Sequence, residues 1–370
     1  MQKIVYFTGP LPRKGQVPFG GGEVGDVRTV RMLESLGYQV VQVRKRRSGA
    51  ADSRLKSMLS YPFRALSNAA GWFFVLLAGN RKDGVAHVAG FYGTAIRLEK
   101  VLVAMAKMLG YRTVYELRGG GAQDFYENGN GRYRKRFKDT LCKADYLFSQ
   151  GKENEPLLHS LCGKPVFHYP NCVQEGFYPA EPPRKPEDSV NLLYYGRIEE
   201  EKNPMLVVET AALLQKRFSN IRLTMLGNGR KDLTAKVREK MEQSLAAGSY
   251  ELLPGCEHEQ LKALLPDKHF YVFPSTQPRE GQSNAVTEAM SYGIIPVASP
   301  QGFNSSTIGD ERLIVNTLSA DAYADRIASI IRAGEVGEYS RFVRQRFLEN
   351  YTEKAVAARL EKEYERIFNE

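Results

Sequence analysis

The sequence predicts an α/β protein of two domains, each a doubly wound parallel sheet with helices on both faces. Three observations carry this. β-rich runs alternate with helical patterns along both halves, a proline-rich break separates the two series, and 370 residues exceed what one hydrophobic core usually serves.

In the first half, strand-like 3–7 leads to a helical pattern over 23–36 and strand-like 38–43. Strand-like 85–89, helical 94–109, strand-like 112–116, helical 132–142 and strand-like 145–149 and 165–169 follow. Between them, 65–78 is apolar and contains Trp72, Phe73, Phe74, Val75, Leu76 and Leu77, with Arg64, Arg81 and Lys82 flanking it. It falls short of the roughly 20 residues that a spanning helix needs, so it reads as a buried or half-buried helix. The break at 178–189 holds Pro179, Pro182, Pro183 and Pro186 among charges, which is linker composition. Alternation resumes with strand 190–195, helix 204–218, strands 221–226 and 250–253, helix 257–265 and strand 268–273. A charged amphipathic helix over 352–368 ends the series.

Composition narrows the class. Apolar residues make up 42 % of the chain, ordinary for a soluble globular protein. Cys142, Cys162, Cys172 and Cys256 show neither metal-ligand spacing nor a disulfide framework, which fits a reducing, cytoplasmic setting. The start, Met1-Gln2-Lys3 followed directly by a strand-like run, does not read as a signal peptide. Charge is uneven: residues 1–180 carry 27 Lys+Arg against 14 Asp+Glu, and the remainder 25 against 28. A basic first half predicts an anionic partner, and Arg44, Lys45, Arg46, Arg47, Arg54, Lys56 and Arg64 beside the apolar segment suit the inner face of an acidic membrane.

Ligands of open parallel sheets sit beyond the carboxyl ends of strands, so the turns after strands are the places to search. After strand 190–195 come Gly196, Arg197 and, just before the helix-opening Pro204, Lys202. A guanidinium fork and a mobile ammonium at one strand end can neutralise a diphosphate, although cations after a strand are ordinarily solvated. Gly227-Asn228-Gly229 after strand 221–226 permits close backbone approach, as tight turns also do. After strand 268–273 a polar turn with Glu280 opens a helix with Glu288 and stops at Gly293. Amides of Ser283, Asn284 and Ala285 at the helix start suit a phosphate, and Glu288 suits vicinal ribose hydroxyls. A hydrolytic pair is disfavoured: eight residues of helix would hold the glutamates about 12 Å apart, beyond the ~5–9.5 Å of glycoside hydrolysis.

In order, Gly196-Arg197-Ile198 with Glu201-Lys202-Asn203-Pro204, Leu226-Gly227-Asn228-Gly229, Phe273-Pro274-Ser275, Glu280 to Glu288, and Gly293-Ile294-Ile295-Pro296-Val297-Ala298-Ser299 resemble the signature of retaining family 4 glycosyltransferases (glycosyl transferases group 1). The first domain is similar in outline only, with a glycine loop after its first strand and Pro170-Asn171-Cys172-Val173 near the hinge. The resemblance implies the GT-B architecture, two Rossmann-like domains facing across a cleft. An acceptor domain over 1–172 and a donor domain over 173–350 would be followed by a helix over 351–370 packing back toward the first. It implies no cofactor and no metal, with a UDP- or GDP-sugar donor and a glycan or lipid-linked acceptor as partners. Arg197 and Lys202 would hold the diphosphate, Glu288 the ribose and Glu280 the transferred sugar. Gly227, Asn228, Ser283, Asn284 and Ala285 would line the donor. In the first domain Gly21, Gly22 and Arg118 would approach it.

Two departures stand out. The family's first glutamate is usually followed by Gly-Phe-Gly, whereas this chain has Gly281-Gln282-Ser283, and Arg118 stands where the family often has a histidine after strand 112–116. His87, His159, His168, His258 and His269 occupy no recognisable catalytic motif. Two alternatives differ in class. Gly20 to Gly25 formally matches G-x-G-x-x-G, as an NADP-dependent oxidoreductase would require, but residues 8–19 separate it from its strand. A non-catalytic nucleic-acid-binding protein would fit the basic half and Arg132 to Lys138, yet no nucleic-acid motif accompanies them, and no nucleic acid is expected as partner.

Overall fold

A computed structural model describes residues 2–13, 15–16, 20–46 and 54–370. Arg47, part of the loop 8–19 and the side chains of Arg54 and Lys56, all named above, lie outside the described residues. The chain divides into two compact units, Met1–Pro170 with Ala357–Glu370, and Asn171–Val356.

The first unit runs β1 (Ile4–Gly9), α1 (Gly20–Ser35), β2 (Gln39–Arg44), α2 (Arg54–Ala78), β3 (Gly84–Gly90), α3 (Ile96–Met108) and β4 (Arg112–Leu117). It continues with α4 (Ala122–Glu127), α5 (Gly131–Lys143), β5 (Tyr146–Ser149), α6 (Glu155–Cys162) and β6 (Val166–His168). Its parallel sheet has the order β2-β1-β3-β4-β5-β6. Central β3, Gly-Val-Ala-His-Val-Ala-Gly, is buried along its whole length, so small and apolar residues fill both faces. Edge strand β2 is only partly covered.

The second unit runs β7 (Val190–Tyr195), α7 (Pro204–Gln215), β8 (Ile221–Leu226), α8 (Lys231–Ser244), β9 (Tyr250–Leu253) and α9 (His258–Leu264). Then come β10 (Phe270–Phe273), α10 (Asn284–Met290), β11 (Ile295–Ala298), α11 (Asn304–Ile308), α12 (Ala320–Arg332) and α13 (Val336–Asn350), and α14 (Glu353–Asn369) begins in this unit and ends in the first. The parallel order is β11-β10-β7-β8-β9, so the chain reverses its direction of growth between β7 and β10. Such a switch point leaves a crevice beyond the strand ends.

Two elements differ from the sequence expectation. The glycines at 20–22, expected as a loop, form the first turn of α1, where the backbone N–H groups need no intrahelical partner. The apolar segment expected at 65–78 is the end of a longer helix, α2, which continues through Pro62. One face of α2 buries Ala69, Trp72 and Leu76, and the Trp72 indole donates to the Leu102 carbonyl of α3 at 3.0 Å. Met58, Leu59, Phe63, Leu66, Phe74 and Leu77 recur at helical spacing on the other face and are exposed, Phe63 at 78 %. No helix among the described residues is long and apolar enough to cross a membrane. Residues 357–370, most of α14 and the last residue, belong to the first unit, where Tyr364 is buried with its hydroxyl 2.5 Å from His87 Nδ1 and Phe368 stacks on Tyr38.

His269, just before β10, is a structural histidine. Its Nδ1 accepts from the Asn191 N–H at 3.1 Å and its Nε2 faces the Pro186 carbonyl at 3.1 Å. Only the neutral ring protonated on Nε2 satisfies both partners. Burial, reinforced by the Lys185 ammonium, lowers its pKa from 6.5 to about 4. A lowered pKa means that the unfolded chain binds the proton more readily. The stabilising contribution is therefore complete above about 6.5 and is lost as pH falls to about 4. The slope of unfolding free energy against pH across that window should be shallower in His269→Gln than in the wild type, by up to about 1.4 kcal/mol per pH unit. Urea titrations followed by circular dichroism at pH 5 and pH 7 measure this, and equal slopes would contradict it.

Candidate functional site

At the switch point of the second unit, the loops after β7 and β10 carry the groups singled out by sequence. Gly196 (φ 147°) turns the chain out of β7, and Ile198 is buried beside Gly229 in a parallel bridge. A single 3₁₀ turn over Glu200–Lys202 follows, and Asn203 adopts a left-handed conformation (φ 50°) before Pro204 opens α7. The turn directs Lys202 inward: its side chain is 10 % exposed, its ammonium pairs with the Glu280 carboxylate, and it lies 5.0 Å from the centre of the Phe273 ring. Glu280, 13 % exposed, also accepts from the Ser275 hydroxyl at 2.9 Å. Two further bonds run in parallel, with the Thr276 N–H donating to the Glu201 carbonyl at 2.7 Å and the Asn203 side-chain amide to the Pro274 carbonyl at 2.8 Å. The two loops are thus one assembly. Arg197 stands apart from it, two-thirds exposed and paired with Glu199 at 2.7 Å.

Glu288 lies on α10, whose N-cap is Ser283, followed by Asn284 and Ala285 in the first turn. The Tyr195 hydroxyl at the end of β7 donates to Glu288 Oε2 at 2.9 Å and lies 2.7 Å from the Ala285 carbonyl. Burial, then the adjacent Glu288 carboxylate, raises the Tyr195 pKa well above 10, so the phenol remains a donor. His258, at the start of α9, places Nε2 4.0 Å from Glu288 Oε1 and packs edge-on to Phe177. Sequence reading assigned no role to Tyr195, Ser275 or His258. Only the β-strand register and the α9 position bring them to Glu280 and Glu288.

The remaining motif residues hold the loops. A Cβ at Gly227 would clash with the Gly196 carbonyl, so this glycine serves the contact between the β7 and β8 loops. Asn228 accepts from the Gly255 N–H through its side chain and from the Ile198 N–H through its carbonyl, at 3.0 and 2.9 Å. Gln282, the departure from Gly-Phe-Gly, is buried: its amide accepts from the Asn171 N–H at 2.6 Å and donates to the Asn171 carbonyl at 3.1 Å. Asn171 in turn donates to the Asn284 side chain at 3.0 Å. The substitution therefore fixes the start of the second unit against the α10 turn.

In the first unit, Gly21 and Gly22 belong to α1 and not to a flexible loop. Arg118, expected to reach a ligand, is 4 % exposed and committed to protein partners. It donates to Glu116 at 2.6 and 2.9 Å, to the Thr29 hydroxyl at 3.1 Å and to the Gly22 carbonyl at 3.3 Å, and it pairs with Asp26. Burial alone would raise the Glu116 pKa, but the Arg118 charge and a bond from His87 outweigh it and hold the carboxyl at about 2. The arginine thus neutralises two buried carboxylates, which explains why it is an arginine. Among the described residues no group of three or more His, Cys, Asp or Glu side chains is placed to hold a metal ion.

Residues 180–345 match the family model described as glycosyl transferases group 1. The chain is 23 % identical over 238 residues to a phosphatidylinositol N-acetylglucosaminyltransferase subunit of Arabidopsis thaliana, covering 64 % of this chain and 52 % of that protein. It is 29 % identical over 179 residues to GDP-mannose:cellobiosyl-diphosphopolyprenol alpha-mannosyltransferase of Xanthomonas oryzae pv. oryzae, covering 47 % and 46 %. The chain spans about half the length of the curated relatives it matches. Among solved structures, sucrose-phosphate synthase from Thermosynechococcus elongatus superimposes with a TM-score of 0.71 at 16 % identity, covering 100 % of both chains. HepE of Anabaena in complex with UDP gives 0.69 at 10 % identity, covering 99 % of this chain and 100 % of that one. At such identities the likeness shows the fold, which is GT-B.

Proposed function

We propose that the chain, whose residues 180–345 match the glycosyl transferases group 1 family model, moves a sugar from a nucleotide-sugar donor to a glycan or lipid-linked acceptor with retention of configuration. The observation that carries this reading is the Lys202–Glu280 pair at the β7/β10 switch point, together with the Tyr195-held Glu288 on α10. An ammonium anchored beside a helix start suits a diphosphate, and a carboxylate oriented by a phenol suits two ribose hydroxyls. Lys202 takes the diphosphate, joined by Arg197 swinging from its exposed pairing with Glu199. Glu280, released from Lys202, orients the sugar.

In the reaction the acceptor oxygen bonds to the anomeric carbon on the face from which the diphosphate departs. The bond from that carbon to the phosphate oxygen breaks with its electron pair going to the diphosphate, and the acceptor proton passes to a phosphate oxygen. Lys202 and Arg197 neutralise the departing charge, so no metal ion is required. UDP and GDP are the candidate nucleotides: HepE is in complex with UDP, and the Xanthomonas relative is named for GDP-mannose. Nucleotide release from a panel of UDP-, GDP- and ADP-sugars should be slow with one donor, insensitive to EDTA, and reduced about a hundredfold or more in Lys202→Ala. Release abolished by EDTA, or unaltered in the variant, would contradict this reading.

The acceptor side favours a membrane. The exposed stripe of α2 from Met58 to Leu77, with Arg64 within the helix and Arg81 and Lys82 beyond it, suits an anionic lipid surface. This supports a peripheral position on the inner face of the membrane. The protein should float with vesicles containing phosphatidylglycerol and less with neutral ones, and Phe63→Ser with Leu66→Ser should abolish flotation while leaving nucleotide binding intact. Equal flotation of that variant would sink the membrane reading.

A further inference from the structure

A cavity of about 710 Å³ opens in the first unit among segments that follow β3 and β4. Its size is that of a small-ligand site. Arg97 in the first turn of α3, and Arg132 and Arg136 on one face of α5, line it together with Phe125, Tyr133 and Asp124. Among the described residues these three guanidinium groups make no side-chain hydrogen bond or ion pair. The nearby carboxylate Asp139 is already matched by Lys100 at 2.7 Å, a bond that also ties α3 to α5. Three arginines therefore face the cavity against one lining carboxylate, Asp124.

The walls are fixed. The Tyr133 hydroxyl accepts from the Gly93 N–H at 3.0 Å, and the Phe125 ring packs 4.9 Å from that of Tyr92. Gly93 (φ +77°) brings the backbone so near Phe125 that an added Cβ would lie 3.3 Å from the ring. Planar forks with no protein acceptor, set beside two aromatic faces, match a phosphate ester or diphosphate joined to an apolar or ring-shaped group.

We propose that this cavity binds the phosphate-bearing head of the acceptor. The proposal rests on the transferase reading for the word acceptor, but the site is independent of the donor residues of the second unit. The same chemistry has two sources, a lipid-linked diphosphate and a soluble phosphoester.

The test is calorimetric titration of the whole protein with geranyl diphosphate and with inorganic pyrophosphate. Wild type is compared with Arg132→Ala/Arg136→Ala and with the corresponding double lysine variant, and circular dichroism melting verifies folding. Geranyl diphosphate should bind the wild type and lose about tenfold or more in affinity in the alanine variant, with partial recovery in the lysine variant. Tighter binding of geranyl diphosphate than of pyrophosphate would assign a lipid-linked ligand, and equal binding a soluble phosphoester; both uphold the site. Absence of binding, or equal affinity in wild type and variants, would overturn it. So would arginine-dependent binding of oligouridylate without binding of geranyl diphosphate, which would indicate nucleic acid. UDP affinity should be the same in all these proteins, so loss of the donor reading would register there and not in the arginine series.

Discussion

Lys202 and Glu280 come from loops 78 residues apart, and their ion pair is the contact on which the second unit's site depends. Both side chains are nearly buried, so removing either partner leaves a charge that has lost its water and gained nothing. The topology brings the two loops within reach of each other once the sheet forms. β7 and β10 are neighbours on opposite sides of the reversal in strand order, so their outgoing loops meet. The Phe273 ring under the ammonium, the Ser275 hydroxyl on the carboxylate, one backbone bond and one from the Asn203 side chain then hold the meeting in one geometry. An arriving anion does not need to order these loops. On the proposed reading it needs only to compete with Glu280 for an ammonium that is already placed.

The surrounding contacts carry the same economy of motion. Gly227 lets the Gly196 carbonyl approach, Gly302 (φ +67°) lets the Glu280–Gly281 backbone approach, and Gln282 clasps both backbone groups of Asn171. Each side of the assembly is thereby set against a fixed neighbour. Preorganisation of this kind lowers the ordering cost of binding. The first unit uses its buried charge differently: Arg118 joins Glu116 and Asp26, and His87 links Glu116 to Tyr364 of the last helix, so these groups are matched to one another inside the core.

What was legible in the sequence follows from how local each feature is. Strands, the Pro204-opened helix and the Glu280–Glu288 spacing are written in consecutive residues, and the structure displays them at the expected strand ends. The partners that hold Arg118 are illegible in the sequence because Asp26 and Thr29 sit some ninety residues away on α1, out of view of any local pattern. The contacts of Tyr195, Ser275 and His258 with the two glutamates are equally non-local, apart from the short Ser275–Glu280 spacing. Gly20 to Gly22 suggested a loop by composition, but glycine costs little in a first helical turn, where the backbone donors are unpaired in any case. The apolar segment at 65–78 was readable as a helix, whereas its two-faced character required knowing which side Trp72 takes.

The central claim is that Lys202 is the diphosphate ligand and that Glu280 holds it ready while competing for it. Opposite shifts in nucleoside diphosphate affinity on removing each charge test this directly. By equilibrium titration with UDP and GDP, Lys202→Ala should bind the preferred nucleotide more weakly than the wild type, whereas Glu280→Gln should bind it as tightly or more tightly. Weakening by Glu280→Gln equal to that by Lys202→Ala, or no change in either, would contradict the account.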